Sequence, residues 1–293
     1  MTSPTIGFAG LGVMGEPICR NILSKSGAAM HVFDLKPEPV ERLVQLGAQR
    51  AESAAELAEK VDILFLSLPG GKQVEAVVHG PGGVLETARE GLLVVDMSTA
   101  PVGLTRSLAD DLAAKGIAFA DAPVARTRQA AEDGTLSIMV GASDEIFARL
   151  RPILAHAATD ITHCGPVGCG QVVKILNNMV LFETVVALSE ALALGKSAGV
   201  DGKLLFETLS KGSADSFALR NHGMKAMLPD VFPESAFPTD YALKDVACAL
   251  DLAELTGIRA PGAELAKARM EKAREAGFPN AYFPVLARVI DKV

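Results

Sequence analysis

The sequence is poor in aromatic residues and cysteine, and it has no excess of positive charge. Tryptophan is absent, tyrosine occurs twice, and four cysteines in 293 residues are too few for a disulfide framework. Reduced thiols of this kind are typical of a cytoplasmic protein, which is the location we predict. Lysine and arginine number 28 against 35 aspartate and glutamate residues, a formal net charge of −7. This balance argues against non-specific nucleic-acid binding, which needs a net basic face.

The sequence also lacks a convincing membrane segment, a secretory signal and a metal-binding pattern. Its longest apolar stretch, roughly 172–194, contains Lys174, Asn177, Asn178 and two glutamates, which would be costly in lipid. The first residues carry no basic region, so we expect no signal peptide. The cysteine spacing matches no common zinc site, so we expect no metal. With 49% hydrophobic and 22% charged residues, the composition is that of a globular protein.

What the sequence does contain is an alternation of short apolar runs with amphipathic helical segments in its first half. This alternation predicts β-α-β units and a parallel sheet. Beyond residue 165 the strand-like runs stop, and apolar residues recur at helical spacing. We therefore predict an α/β domain over 1–165 and an all-helical domain over 166–293, with a long helix that starts near Gly168. The predicted strands are Ile6–Ala9, Met30–Phe33, Ile63–Leu68, Leu92–Asp96, Ala118–Asp121 and Ser137–Val140.

The first predicted strand leads directly into a glycine motif with the spacing G-x-G-x-x-G, and an amphipathic helix follows. In this context the first glycine allows a tight turn, the second lets a pyrophosphate approach the backbone, and the third lets helix and strand pack closely. The amides at the helix N-terminus would face the phosphates. The motif therefore predicts a dinucleotide site, with candidate contacts at Gly10, Leu11, Gly12, Val13, Met14 and Gly15.

An acidic residue, Asp34, ends the second predicted strand, 19 residues after Gly15. An acid at this position can accept hydrogen bonds from the adenosine ribose hydroxyls, and it would repel a 2′-phosphate. We therefore predict NAD as the cofactor and regard NADP as less favoured, although Lys36 nearby keeps NADP open. The alternative role for Asp34 is that of a helix cap or loop acid before Lys36.

A second group of polar residues lies at the start of the long predicted helix. Gly170, Lys174 and Asn178 are four residues apart and share one helix face, with Asn177 adjacent. We expect a hollow over Gly170, beside an ammonium and two carboxamides in an otherwise apolar segment. Such a lysine can exchange a proton with an alcohol or alkoxide. The alternative is a lysine whose stem lies along apolar surface with its charge in water.

Two further polar segments follow predicted strands, at the sheet edge where ligands bind in parallel sheets. Ser98 and Thr99 follow the strand that ends at Asp96, although either could instead cap a helix. Arg126 follows the strand that ends at Asp121 and is a candidate anion-binding residue, because the chain as a whole is negatively charged.

Together these motifs resemble the beta-hydroxyacid dehydrogenase family over nearly the whole chain and in the family's order. The resemblance implies a Rossmann dinucleotide-binding domain, a long interdomain helix and an all-helical C-terminal domain that builds a homodimer or homotetramer. It implies that Lys174 is catalytic, that Asn178 orients the substrate and that Lys244 lies beside the cofactor. Leu68 and Pro69 complete the candidate cofactor contacts, together with Thr99. The motifs that carry the resemblance are Gly10–Gly15, Asp96–Thr99, Asp121–Val124, Gly134–Gly141, Gly170–Asn178 and Lys244-Asp245.

The chain departs from this family in the loop that is expected to bind the substrate. Most members carry Ser-Gly-Gly where this sequence has Ala125, Arg126 and Thr127, so the serine contact to a carboxylate cannot form. Arginine and threonine offer more hydrogen-bond donors and suit a bulkier or more strongly charged anion. The loop resembles that of sulfolactaldehyde reductases, except that Ala125 replaces a glycine. A sulfonate is therefore one candidate substrate group, and a carboxylate stays open.

These observations predict an NAD-dependent oxidoreductase that interconverts a small anionic 3-hydroxy acid, or its sulfonate analogue, and the corresponding aldehyde. Lys174 would donate or accept the proton while a hydride passes between nicotinamide and substrate. One alternative is a carboxylate substrate of the 3-hydroxyisobutyrate or tartronate semialdehyde type. A second, from a different class, is a dinucleotide-binding scaffold without chemistry. Imine reductases share the fold but generally lack the lysine. The predicted substrate contacts are Ser98, Thr99, Ala125, Arg126, Thr127 and Asn177.

Overall fold

The computed structural model describes residues 3–234 and 236–290. The chain divides into two compact units after Lys174, and the division falls within the helix Cys169–Ser197. The boundary predicted at 165 coincides with the last residue of the final strand in these ranges, Ala158–Gly165. All strands in the described ranges lie in the first unit, and the second unit is helical.

The first unit is built on one sheet with the strand order β3-β2-β1-β4-β5-β6-β8-β7, and β9 pairs with β8. The strands β1 to β6 are parallel, as the alternating pattern predicts. At the far edge, however, β8 runs antiparallel to β6 and β7, because the ten residues 126–135 between β7 and β8 are too few for a parallel crossover. The strands are β1 (Ile6–Ala9), β2 (Met30–Phe33), β3 (Gln49–Arg50), β4 (Ile63–Leu66), β5 (Leu93–Asp96), β6 (Ala118–Asp121), β7 (Val124–Ala125), β8 (Leu136–Gly141) and β9 (Ala158–Gly165).

Helices connect the strands of the first unit and make up most of the second. A π-helix, Leu219–Met227, and a 3₁₀ helix, Phe283–Val289, complete the second unit within the described ranges. The α-helices are α1 (Gly15–Ser26), α2 (Pro37–Gln45), α3 (Ala54–Lys60), α4 (Gly71–His79), α5 (Val84–Thr87), α6 (Val102–Ala113), α7 (Arg128–Asp133), α8 (Asp144–Leu154), α9 (Cys169–Ser197), α10 (Gly202–Leu209), α11 (Thr239–Thr256) and α12 (Pro261–Glu275).

The central strands of the sheet, β1, β4 and β5, are buried on both faces, which explains why they are apolar runs. Phe8 and Phe65 lie in the core on one face, where their ring centroids are 5.9 Å apart. Leu64 and Val94 belong to the core on the other face. With both faces covered by helices, the carboxyl ends of the parallel strands are where polar loop residues meet.

The second unit has its own core, in which Phe182 of α9, Phe206 of α10 and Phe283 are fully buried. Phe182 and Phe283 meet edge to face with ring centroids 5.2 Å apart, a favourable aromatic geometry. By contrast, Val180, Ala187 and Leu194 are exposed on α9 at intervals of seven residues and form one apolar stripe. One flank of α9 is therefore buried in the unit and another is exposed.

Helix α9 is long and apolar enough, by length and composition, to cross a membrane. This is weak evidence for a span, because the core helix of a soluble protein passes the same test.

Candidate active site

The glycine motif forms a tight turn between β1 and α1. Gly10 has φ +92°, and its amide donates to the carbonyl of Phe33 at the end of β2. A Cβ atom at Gly10 would lie 2.3 Å from the Ser67 carbonyl oxygen, and one at Gly15 would lie 2.0 Å from the Gly10 carbonyl oxygen. The backbone therefore excludes side chains at both positions.

Gly12, in the middle of the turn, differs from the other two motif glycines. It is exposed, and no heavy atom lies within 4 Å of the position that its Cβ would take. Helix α1 begins at Gly15, so the amides of its first turn lie next to this open side. An open backbone surface beside a helix N-terminus fits the pyrophosphate of a dinucleotide.

The carboxylate of Asp34 connects the end of β2 to the glycine turn. One oxygen accepts from the Leu11 amide at 2.6 Å, and the other accepts from the Lys36 amide at 2.8 Å. Asp34 is not a side-chain cap of α2, because the N-cap of that helix is Lys36 and no side chain caps it. A cavity of about 120 Å³ adjoins Asp34, and Leu35 and Arg50 also line it.

Ser98 lies at the carboxyl end of β5 and is only 4% exposed. Its hydroxyl accepts from the Leu68 amide at 2.9 Å, and its own amide donates to an Asp96 carboxylate oxygen at 2.9 Å. The helix-cap alternative for Ser98 is wrong, because α6 starts later, with Pro101 as its N-cap. The side chain of Leu68 in turn lies next to Gly10. The structure therefore brings Gly10, Leu68 and Ser98 together at the ends of three neighbouring strands. Of the other two residues predicted here, Thr99 is half-buried and Pro69 is exposed.

The start of α9, the helix that carries Lys174, is held by Asp121 at the end of β6. Asp121 is fully buried, and its two oxygens accept from the amides of Gly168 at 2.6 Å and Gln171 at 2.7 Å. Burial raises the pKa of the Asp121 carboxyl above its ordinary value, although these backbone hydrogen bonds act in the opposite direction. Lys174, half-buried, follows three residues after Gln171 on the same helix.

The side chain of Gln171 joins α9 to the loop after β5. Its amide nitrogen donates to the Ser98 carbonyl at 2.7 Å, and its amide oxygen accepts from the Ala100 amide at 3.2 Å. We assigned no role to Asp121 or Gln171 from the sequence. An acid at the end of a strand and a glutamine next to a helical glycine are visible signals, but neither shows its distant partner.

The expectation of a hollow over Gly170 is wrong. A Cβ at this position would lie 2.4 Å from the Met139 carbonyl oxygen and 2.8 Å from a carboxylate oxygen of Asp121. The glycine is therefore required because α9 packs directly against the backbone of β8, which fills the space that the sequence pattern left open.

In the second unit, the polar residues of α9 and α11 form a cluster around the buried carboxylate of Asp245. Asn178, 3% exposed, donates to one Asp245 oxygen at 2.7 Å, and the ammonium of Lys244 lies 2.8 Å from the other. Asn177 donates to the Asn178 side-chain oxygen at 3.1 Å. The Lys244 ammonium also lies 5.1 Å from the centroid of the Tyr241 ring. The sequence motif indicates no role for Asp245, and the structure places it at the centre of this cluster.

The three loop residues that replace Ser-Gly-Gly lie around β7. Ala125 pairs with Ser137 of β8, and the Thr127 hydroxyl caps α7 by accepting from the Ala130 amide at 3.3 Å. Arg126 has φ +88°, a conformation that favours glycine. Its guanidinium pairs with Asp160 and donates to the Thr159 hydroxyl at 2.8 Å, both on β9, so it is directed toward β9. The anion-binding role of Arg126 stays a prediction.

Two models of known protein families match this chain. A family model described as the NAD binding domain of 6-phosphogluconate dehydrogenase matches residues 5–165. A second, described as the NAD-binding of NADP-dependent 3-hydroxyisobutyrate dehydrogenase, matches residues 168–290.

Curated relatives and solved structures cover nearly the same length. The 2-(hydroxymethyl)glutarate dehydrogenase of Eubacterium barkeri is 38% identical over 98% of this chain and 95% of its own. The 3-hydroxyisobutyrate dehydrogenase of Pseudomonas aeruginosa is 40% identical over 81% of this chain and 78% of its own. Among solved structures, the Mycobacterium tuberculosis 3-hydroxyisobutyrate dehydrogenase, described with L-serine, is 29% identical with a TM-score of 0.88, and the match covers 99% of this chain and all of that one. The chain therefore belongs to the beta-hydroxyacid dehydrogenase family and is an NAD(P)-binding 3-hydroxyacid dehydrogenase.

Proposed function

We propose that this enzyme uses NAD to interconvert a small anionic 3-hydroxy acid and the corresponding aldehyde, with Lys174 as the proton donor and acceptor. The observation that carries the proposal is the set of hydrogen bonds that ties the helix of Lys174 to the loop at Ser98, which itself contacts Leu68 beside the glycine turn. A proton-transfer group and a dinucleotide-binding turn are thereby connected within one compact unit.

The substrate class is supported by the names of the relatives. The compounds in those names, 2-(hydroxymethyl)glutarate, 3-hydroxyisobutyrate and L-serine, share a carboxylate and a primary alcohol on the third carbon. We propose the same class for this chain, since a positioned lysine suits an alcohol that loses a proton as it is oxidised.

We propose that the cofactor is held by the glycine turn, Asp34, Leu68 and Pro69, with Thr99 and Lys244 as further contacts. The open backbone at Gly12 and the carboxylate at Asp34 fit a pyrophosphate and a ribose, respectively. When bound there, NAD would supply a hydride acceptor for oxidation of the alcohol, and NADH would supply a hydride donor for reduction of the aldehyde. The charge of Asp34 favours NAD, because a 2′-phosphate next to this carboxylate would be repelled.

The chain's own residues then manage the proton and the developing charge. The Lys174 amine accepts the hydroxyl proton during oxidation and returns it during reduction, and its ammonium stabilises negative charge on the oxygen. Asp245 accepts one hydrogen of the Asn178 amide and so fixes the plane of that amide. We propose that Asn178, held in this way, orients the substrate oxygen, with Asn177 adjacent.

A sulfonate substrate is the second candidate, and it depends on Arg126. Arg126 keeps a backbone conformation that favours glycine, which is unusual for a long side chain and points to a use for its guanidinium. If Arg126 binds the acid group, Arg126→Ala should raise KM about tenfold or more and reduce the preference for sulfonate over carboxylate, since a charged hydrogen bond contributes about 1.5–3 kcal/mol. Steady-state kinetics on both substrate types measure this.

Arg128→Ala is the matched control, because Arg128 is exposed in the same segment and pairs only weakly, at 3.8 Å, with Glu132. If Arg126→Ala leaves the sulfonate-to-carboxylate ratio unchanged, Arg126 is not in the substrate site. Ser98, Thr99, Ala125 and Thr127 would then be the remaining loop candidates for holding the acid group.

A substrate panel tests the proposed function as a whole. Methylmalonate semialdehyde, tartronate semialdehyde, succinic semialdehyde and sulfolactaldehyde would be assayed with NADH and NADPH, and the matching alcohols with NAD. The proposal expects turnover of at least one short 3-oxo acid, faster with NADH than with NADPH. Faster turnover with NADPH than with NADH, or no turnover of any of these compounds, would contradict the proposal.

We also propose that the enzyme is a homo-oligomer, a dimer or tetramer, in the cytoplasm. The exposed stripe of Val180, Ala187 and Leu194 on α9 supports self-association, because apolar residues on one exposed helix face suit an interface. The four cysteines, all free thiols, suit a reducing compartment. Light scattering in solution would give a multiple of the 30.6 kDa chain mass if the oligomer forms.

A further inference from the structure

We propose that Gln171 is a positioning residue for the reaction: its side chain sets the place of the Lys174 amine relative to the loop 98–101. The inference rests on the proposed function of Lys174. The hydrogen bonds of the Gln171 side chain are made to this loop, so in this proposal the residue acts through Lys174 and the loop and not on the substrate.

The first argument is that the nitrogen and the oxygen of the Gln171 carboxamide both form hydrogen bonds with the same loop. The nitrogen donates to the Ser98 carbonyl and the oxygen accepts from the Ala100 amide, at 2.7 and 3.2 Å. The residue is fully buried, so these bonds are made without competition from water. A two-point contact of this kind fixes both the distance and the rotation of the helix relative to the loop.

The second argument is that the helix does not need this side chain in order to begin. Asp121 already accepts the amides of Gly168 and Gln171 and so caps the N-terminus of α9. Gly170 packs directly against the backbone of β8. The Gln171 side chain therefore adds a connection to the loop after β5, which capping and packing do not require.

The third argument is the short path from Gln171 to the chemistry. Lys174 follows three residues later on the same helix, where positions i and i+3 are neighbours. On the other side, the Ser98 hydroxyl holds the Leu68 amide, and Leu68 lies beside Gly10 of the cofactor turn. A displacement of about 1 Å between reacting groups can cost about 10²-fold in rate. Loosening this contact should therefore lower turnover without removing any group that reacts.

The test compares Gln171→Leu with Gln171→Glu. Leucine has a similar size but makes neither hydrogen bond, so kcat should fall about 10- to 100-fold while the Kd for NADH, measured by fluorescence, changes less than threefold. Gln45→Leu at the exposed end of α2 makes the same chemical change and should leave both quantities unaltered.

The glutamate variant supplies a readout that a merely structural role would not change. A protonated glutamic acid can donate to the Ser98 carbonyl and accept from the Ala100 amide, as glutamine does, whereas the carboxylate cannot donate. Burial and the nearby carboxylates of Asp121 and Asp96 should raise the pKa of the Glu side chain introduced by this substitution. The positive charges of Lys174 and of Arg106, which lies against Gly168, act in the opposite direction. The activity of Gln171→Glu relative to the unmodified enzyme should therefore rise as the pH falls, and that of Gln171→Leu should not.

The outcomes separate the inference from the function on which it rests. If Lys174→Ala loses turnover but both Gln171 variants keep kcat within twofold of the unmodified enzyme at every pH, Gln171 does not position Lys174. The inference is also wrong if Gln171→Leu loses NADH affinity and kcat in parallel, because that result indicates general damage to the unit. If Lys174→Ala itself keeps normal turnover, the proposed function fails, whatever the Gln171 variants do.

Discussion

Replacing Lys174 with alanine is expected to lower kcat by about 10²–10⁴, the usual contribution of a positioned acid-base group. The expected loss is in kcat rather than in cofactor binding, because the cofactor contacts that we propose, at the glycine turn and Asp34, do not include this side chain. Steady-state turnover of the preferred substrate and the Kd for NADH, measured by fluorescence, separate the two effects.

Lys196→Ala is the control for the Lys174 substitution, since Lys196 is an exposed lysine in the last turn of the same helix. Its kcat should match that of the unmodified enzyme. Equal losses in Lys174→Ala and Lys196→Ala would show that the helix is sensitive to any lost lysine and would remove the specific role of Lys174.

The second large effect is expected at Asp34, where Asp34→Asn should weaken NAD binding about 10- to 100-fold. A charged hydrogen bond contributes about 1.5–3 kcal/mol, and 1.4 kcal/mol corresponds to a factor of ten. The asparagine oxygen can still accept from the Leu11 amide, so the glycine turn should keep its shape. Affinity for NADP should fall less or rise, because the repulsion of a 2′-phosphate is removed.

The measurement for Asp34→Asn is the pair of dissociation constants for NADH and NADPH. Asp110→Asn, an exposed acid on α6 of the same unit, should change neither constant. An NADH-to-NADPH ratio that is the same in Asp34→Asn and the unmodified enzyme would contradict the assignment of Asp34 to the ribose.

The features that sequence could predict are those in which a few neighbouring residues determine the geometry. The glycine turn is an example, since the spacing of Gly10, Gly12 and Gly15 between a strand and a helix follows from backbone sterics alone. The strands β1, β2 and β6 have the predicted bounds because each is a short, largely apolar run whose residues are buried or half-buried. Strand β9 was missed, because Thr159, Asp160 and Thr162 are exposed polar residues, so the strand is not an apolar run.

The features that sequence could not predict depend on partners far along the chain. Asp121 lies 50 residues from Gln171, and Asn178 lies 67 residues from Asp245, so no local pattern shows either bond. Gly170 illustrates the same limit. Helical spacing placed it correctly on the face of Lys174, but only the fold shows that the backbone of β8 fills the space next to it.

Arg126 shows that a residue type can be recognised before its contacts are known. Its donors suit an anion, as inferred from the sequence, yet in the folded chain they meet the acid of Asp160 on β9. The pairing depends on the edge of the sheet, where β8 pairs with both β7 and β9, and the alternating pattern did not predict this arrangement.

The central claim, that the amine of Lys174 carries the proton, is tested most directly by adding methylamine to Lys174→Ala and measuring kcat with the preferred hydroxy acid and NAD. We predict that the small amine restores part of the lost turnover, that the gain rises with amine concentration, and that the unmodified enzyme does not respond. Near-normal turnover of Lys174→Ala without amine, together with no response when amine is added, would contradict the account.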